Sequence, residues 1–169
     1  MAKAITGGYS PLAATLTTER VFRAFRAPVR EGRTFFHGHS YTGHPLGAAV
    51  ANENLAMFRG GTVLKAVRAK ARLLRTELKR LEPNPFVGSI RQAGLMAGVE
   101  LVARRDPDQR FPAERRMGAA VCRKLMTRGV WLRPLGDTVV IMPPYVMSDA
   151  ALRRLVRELA SAIGEVCAR

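Results

Sequence analysis

An amphipathic stretch from Thr62 to Leu81 divides this chain and limits what it can fold into. Val63, Val67, Ala71, Leu74, Leu78 and Leu81 recur at three- and four-residue spacing, the period of one helix face. Gly60-Gly61 precedes the stretch and Glu82-Pro83-Asn84-Pro85 follows it. Glycine pairs and prolines both interrupt helices. The opposite side carries Lys65, Arg68, Arg72, Arg75 and Lys79, which reads as a solvated face. A helix so bracketed separates a segment ending near residue 60 from one starting near 84.

The later segment reads as a small α/β unit. Val87–Ala93 and Leu95–Val102 have strand character, and Arg105–Pro112 is a polar loop. Residues 113–128 predict a helix with Met117, Val121 and Leu125 inward, and Gly129 fits its C-terminal cap. Val130–Arg133 and Thr138–Met142 predict short strands joined by a turn at Pro134-Leu135-Gly136-Asp137. Ser148 suits the cap of a last helix that buries Leu152, Leu155, Leu159, Ile163 and Val166.

The earlier segment is less regular. Residues 10–16 predict a short buried strand, and residues 18–26 a brief helix started by Thr17-Thr18-Glu19. Residues 27–43, rich in Pro, Gly, Arg, His and aromatics, lack any period and read as a loop, where functional residues concentrate. His44-Pro45 predicts the start of another helix, because proline suits the first helical position.

Composition narrows the classes. At 169 residues the chain is one domain, or a domain and a piece of another. A hydrophobic content of 47% supplies a sizeable core. No apolar run approaches the roughly 20 residues that span a bilayer, and Met1 leads straight into a polar, glycine-containing segment unlike a signal peptide. Cys122 and Cys167 lack metal spacing and are expected to be reduced thiols in the cytoplasm. The net charge of +15 invites a nucleic-acid partner. The arginines that supply most of it are spread along the chain, often beside acids, so none is expected.

Three segments carry residues with chemical potential. Lys3 precedes Ala4-Ile5-Thr6-Gly7-Gly8-Tyr9. A lysine amine can condense with an aldehyde cofactor and then move a proton at the substrate carbon; by itself it reads equally as a surface lysine. Gly38-His39-Ser40 lies just ahead of the helix start at His44-Pro45, where backbone N–H groups and the helix dipole attract phosphate. By itself it reads as a polar turn. His37, His39 and His44 lack a clear carboxylate partner, and no metal is expected. Arg133 ends a strand before Pro134 and can hold a carboxylate through two parallel hydrogen bonds; a structural salt bridge is the alternative. Trp131, the sole tryptophan, is expected in the core.

The segment Lys3–Thr15 resembles the Schiff-base lysine segment of class III, pyridoxal-phosphate-dependent aminotransferases. Phe35–Ala49, Gly129–Asp137 and Met142-Pro143-Pro144-Tyr145 follow in that family's order, and Val87–Leu95 looks like the first strand of its small domain. Within the family these segments are most similar to the biotin-pathway enzymes that aminate 8-amino-7-oxononanoate. His44 departs from the pattern, which often has asparagine there.

The resemblance implies an α/β fold: the C-terminal portion of a type I pyridoxal-phosphate-dependent transferase. Residues 1–60 would be a remnant of the large cofactor-binding domain, 61–83 a connecting helix and 84–169 the small C-terminal domain. It implies Lys3 as the catalytic Schiff-base lysine and Lys3, His39 and Ser40 as cofactor contacts, with Ser40 reaching the phosphate of a neighbouring subunit in a homodimer. Gly38 and Arg133 would bind substrate. The cofactor would be pyridoxal 5'-phosphate, and the amino donor adenosylmethionine or lysine. The family's phosphate loop, ring-stacking aromatic and pyridine-nitrogen aspartate lie upstream of its lysine and have no counterpart in Met1-Ala2. Two alternatives stay open: another class III enzyme acting on ω-amino acids, and a non-catalytic remnant or split-enzyme subunit.

Overall fold

The computed structural model describes residues 1–107 and 109–168. Asp108, in the predicted polar loop, and Arg169 lie outside the described residues. The chain forms two compact units, one over Met1–Val63 and one from Leu64 onward.

The second unit has two layers. Strands β1 (Val87–Ala93), β2 (Met96–Leu101), β3 (Arg133–Leu135) and β4 (Thr138–Ile141) make an antiparallel sheet in the order β1-β2-β4-β3. Helices α3 (Thr62–Leu78), α4 (Met117–Met126) and α5 (Asp149–Cys167) supply the other layer. Val99, Leu101, Val139 and Ile141 from the sheet join Leu74 and Leu78 of α3, Val121 and Leu125 of α4, and Leu152, Leu159 and Ile163 of α5 in one core. Each such side chain contributes roughly 1.5–3 kcal/mol by leaving water. This matches much of the inward set expected from the helix periods, but Val67, Ala71 and Val166 are only partly buried against the core and Val63 is not part of it.

Polar contacts reinforce the layers. Glu77 is only 4% exposed, and its carboxylate meets Arg80 at 3.1 Å and Arg153 of α5 at 3.5 Å. Charges at that depth need such partners. Lys70 donates from α3 to the carbonyls of Tyr145 and Met147. Arg128 binds Glu158 and Glu165 of α5. Hydrogen bonds from Lys124 and Arg128 hold the exposed Glu165 carboxyl down at about 2.

Several expectations are corrected here. The helix predicted over 113–128 splits: residues Ala113–Arg115 form one tight turn, Arg116 adopts φ +46°, and α4 begins at Met117. The β3–β4 turn accounts for the break. A Cβ on Gly118 would stand 2.3 Å from the Gly136 carbonyl oxygen, and the Gly118 N–H donates to Asp137 Oδ1 at 3.0 Å. The helix start is thus set by docking, which periodicity does not encode. The strand predicted over Val130–Arg133 lies instead at Arg133–Leu135. Pro134 is tolerated because β3 is an edge strand. Trp131 is 75% exposed and outside the core. Gly129, with φ +73°, does cap α4, as Val130 N donates to Leu125 O.

The first unit holds α1 (Glu19–Phe25) and α2 (Pro45–Phe58), with single tight turns at Lys3–Thr6 and Val29–Glu31. Thr18 caps α1 and Pro45 opens α2, as expected. Residues 10–16 form no strand and none of them is buried. An extended segment becomes a strand only beside a partner, and the sheet of this chain lies in the other unit. Among the described residues of the first unit only Thr6, Gly47 and Ala51 are buried. Phe35, Phe36, Tyr9 and Leu46 stand largely exposed.

Two outcomes follow from this packing. Gly118→Ala should destabilise the second unit by about 1–3 kcal/mol through overpacking against backbone, read as a lowered midpoint in thermal or urea unfolding. Amides of Leu74–Leu81 and β1–β4 should exchange far more slowly than those of residues 1–60, because local stability follows buried apolar contact; equal protection would contradict this division.

Candidate functional site

The Lys3 turn is built by small, specific contacts. Asn54 of α2 donates from Nδ2 to Ala4 O at 2.9 Å and Ile5 O at 3.1 Å. Thr6 Oγ1 donates to Ser10 O. Gly7 adopts φ +61°, and a Cβ there would stand 3.1 Å from Asn54 Oδ1. Lys3 itself has φ +55°, a conformation that costs a non-glycine residue energy and concentrates at functional sites.

The loop before α2 is equally local. Thr42 Oγ1 accepts from His39 N at 3.0 Å, and His39 Nδ1 accepts from Tyr41 N at 3.1 Å. His44 N donates to Tyr41 O. The Tyr41 ring is tilted against His39, with centroids 6.4 Å apart, and T-shaped against His44 at 6.0 Å.

Together the turn and the loop enclose a cavity of about 960 Å³, lined by Lys3, Thr6, Ser10, Leu12, His39, Tyr41, Thr42 and His44, among others. That size suits a ring-bearing small molecule. The Lys3 amine, the hydroxyls of Thr6, Ser10, Tyr41 and Thr42, and the imidazoles of His39 and His44 belong to its lining residues. Of the residues singled out in sequence, Lys3 and His39 therefore line one cavity. Ser40 and Gly38 are exposed in the same loop and do not line it. Thr42 and Asn54 were not singled out. Thr42 offers the same signal as Ser40, a hydroxyl just ahead of a helix start; Asn54 shows none, because its role depends on a contact across 50 residues. Lys3 is exposed within this chain.

Arg133 stands at the start of β3 in the second unit, exposed, and its side chain makes no ion pair among the described residues. Cys122 and Cys167 are buried and free. Burial pushes both thiols up, Cys167 to about 11, which leaves them inert as nucleophiles. Among the described residues, no group of three or more His, Cys, Asp or Glu could hold a metal ion, and no helix is long and apolar enough to cross a membrane.

Comparison with known proteins places this geometry. Residues 1–163 match the Aminotransferase class-III family. The chain belongs to the class III aminotransferases. It is 45% identical to the adenosylmethionine-8-amino-7-oxononanoate aminotransferase of Geobacter sulfurreducens, over 98% of this chain and 37% of that protein. The crystal structure of the Methanocaldococcus jannaschii enzyme of the same name superposes with a TM-score of 0.91 at 34% identity, over 96% of this chain and 37% of that one. An (S)-enantioselective omega-transaminase from Thermomicrobium roseum superposes with a TM-score of 0.86, also at 34% identity, over 98% of this chain and 36% of that one. The chain thus spans little more than a third of the length of these relatives. Its α/β fold is that of the type I, pyridoxal-phosphate-dependent class III transaminases over the matched part, as the sequence segments implied.

The residues present fit such a cofactor in part. The cavity is large enough, Lys3 offers the amine, and Tyr41 and Thr42 of the loop offer hydroxyls. Thr42→Val should remove the acceptor that orders His39 N, speeding exchange at that amide roughly fivefold, the equivalent of about 1 kcal/mol for one hydrogen bond; an unchanged rate would show the loop is held otherwise.

Proposed function

We propose that this chain carries the lysine-bearing part of an aminotransferase of biotin biosynthesis, converting 8-amino-7-oxononanoate to 7,8-diaminononanoate with pyridoxal 5'-phosphate. The observation that carries the reading is the 45% identity, across nearly the whole chain, to a relative bearing that name. The strained lysine in a cavity shared with a donor-rich loop supports it.

When bound, the cofactor supplies the electron sink that makes a carbon-bound proton removable. Lys3 holds that group through its amine and then carries the proton to and from the substrate carbon. His39 lines the same cavity as Lys3 and braces the loop by accepting from Tyr41 N. Ser40, exposed outside that cavity, suits a phosphate brought by a second copy in a homodimer. Gly38 contacts substrate from the same loop. Arg133 anchors the acceptor carboxylate with its two-pronged guanidinium. We assign residues 1–60 to a large cofactor domain, 61–83 to a connecting helix and 84–169 to the small domain, acting in the cytoplasm with adenosylmethionine or lysine as donor.

A second reading, an ω-amino acid transaminase, draws on the equal 34% identity to the Thermomicrobium roseum enzyme. A third, a subunit that acts only with a partner polypeptide, draws on the apolar exposure of the first unit.

Reconstitution with the part of the Geobacter sulfurreducens relative that this chain does not span tests the reading. The pair should develop a visible cofactor band that Lys3→Ala abolishes, while the chain by itself shows little. Arg133→Ala should keep the band but weaken use of 8-amino-7-oxononanoate by about 2–5 kcal/mol, the cost of leaving a buried charge unpaired. A pair that uses ω-amino acids and ignores 8-amino-7-oxononanoate would move the assignment to the second reading.

A further inference from the structure

Cations of α4 and the turn after it have acids beside them: Lys124 and Arg128 share Glu165, and Arg128 also meets Glu158. Helix α3 departs from this arrangement. Lys65, Arg68, Arg72 and Arg75 follow one another at three- and four-residue spacing, and Lys79 continues the row in the tight turn Lys79–Leu81. All five are exposed. At 3.6 residues per turn they fall within an arc of roughly 80°. Their side chains make no ion pair or hydrogen bond among the described residues. The single acid in the sequence of α3, Glu77, is buried and takes Arg80 and Arg153.

The row works against its own helix. Arg68 and Arg72, like Arg75 and Lys79, are like charges four residues apart, and Lys65 and Arg68, like Arg72 and Arg75, are three apart. Those spacings bring side chains together on a helix surface, where like charges repel. The helix is held by its other side, where Leu74 and Leu78 enter the core. Its rotation is set by Lys70 donating to Tyr145 O and Met147 O, and by Gln92 of β1 donating to Ala71 O. Packing therefore keeps the five cations turned outward.

Charge and shape narrow the partner. The row is about 21 Å long at 1.5 Å per residue, the length of roughly six phosphates of one duplex strand at 3.4 Å each. Guanidinium forks suit phosphate oxygens. Exposed Ala69 and Thr76 lie between the cations, and of the large apolar side chains of α3 Leu64, at its start, is exposed while the others are partly or fully buried. The row thus lacks the aromatic anchors of a protein interface and a stacking platform for single-stranded bases. With the apolar face of α3 already in the core, it also lacks a face to enter lipid. We propose that this row docks on the phosphate backbone of a nucleic-acid duplex without reading its sequence. The inference goes beyond the proposed reaction and uses none of the residues assigned to it.

The full chain is titrated against short labelled duplexes of DNA and of RNA, with polyglutamate and phosphatidylserine vesicles as competing anions. Two DNA duplexes of unrelated sequence should bind equally. Affinity for DNA should fall roughly 40- to 500-fold between about 50 and 200 mM salt, the loss expected for three to five phosphate contacts. The triple variant Arg68→Gln/Arg72→Gln/Arg75→Gln keeps helix propensity. It should flatten the slope of log affinity against log salt by up to about 2.7 without lowering the unfolding midpoint. Arg104→Gln/Arg123→Gln/Arg157→Gln removes the same charge from exposed positions off α3 and should leave the slope nearly unchanged. An equal loss in both triple variants would assign binding to net charge and overturn the row, as would no binding at about 50 mM salt. Polyglutamate or vesicles that bind more tightly than either duplex would make the partner a protein or a membrane and overturn the proposal.

Discussion

The second unit is organised by the approach of α4 to the β3–β4 turn. Gly118 packs where no side chain fits, and Asp137 takes its N–H. That contact ends the preceding irregular turn, starts the helix and fixes which side of β3 faces inward. Pro134 goes to the helix, and Arg133 goes to the open face. A core of Leu, Val and Ile then covers one side of the sheet.

The first unit obeys a different balance. It buries three residues and exposes aromatic rings that elsewhere would form a core. Such a unit has little apolar burial to set against chain entropy. Its order comes from local devices: Asn54 holding the Lys3 turn, Thr42 and His39 bracing their loop, and glycines in left-handed turns. These devices are also what shape the cavity, so the chemistry and the local structure of this unit are the same set of contacts. The relatives are nearly three times as long as the matched part, and the exposed apolar surface fits a fold whose other layers lie outside the matched part.

Electrostatics follow burial in the expected way. The buried carboxylate of Glu77 has two arginines beside it, whereas the basic row along α3 is exposed and carries no structural duty of that kind. Arginine excess accounts for most of the net charge.

What the sequence determined by itself was whatever depends on near neighbours. Helix faces at 3.6-residue spacing, the Ser148 and Thr18 caps, the Gly60-Gly61 break and the family segments around Lys3, Ser40 and Arg133 were all legible, because each is a local pattern. The α4 start, the position of β3, the exposure of Trp131 and the missing strand over residues 10–16 were not. Each depends on a partner distant in sequence: a turn that excludes a Cβ, an edge in the ladder, an uncovered sheet face, a strand with nothing to pair with. Asn54 belongs to the same group, since its amide matters only once α2 meets the Lys3 turn. Tertiary structure decided these because hydrogen-bond partners and steric exclusion are properties of the packed chain, not of the order of its residues.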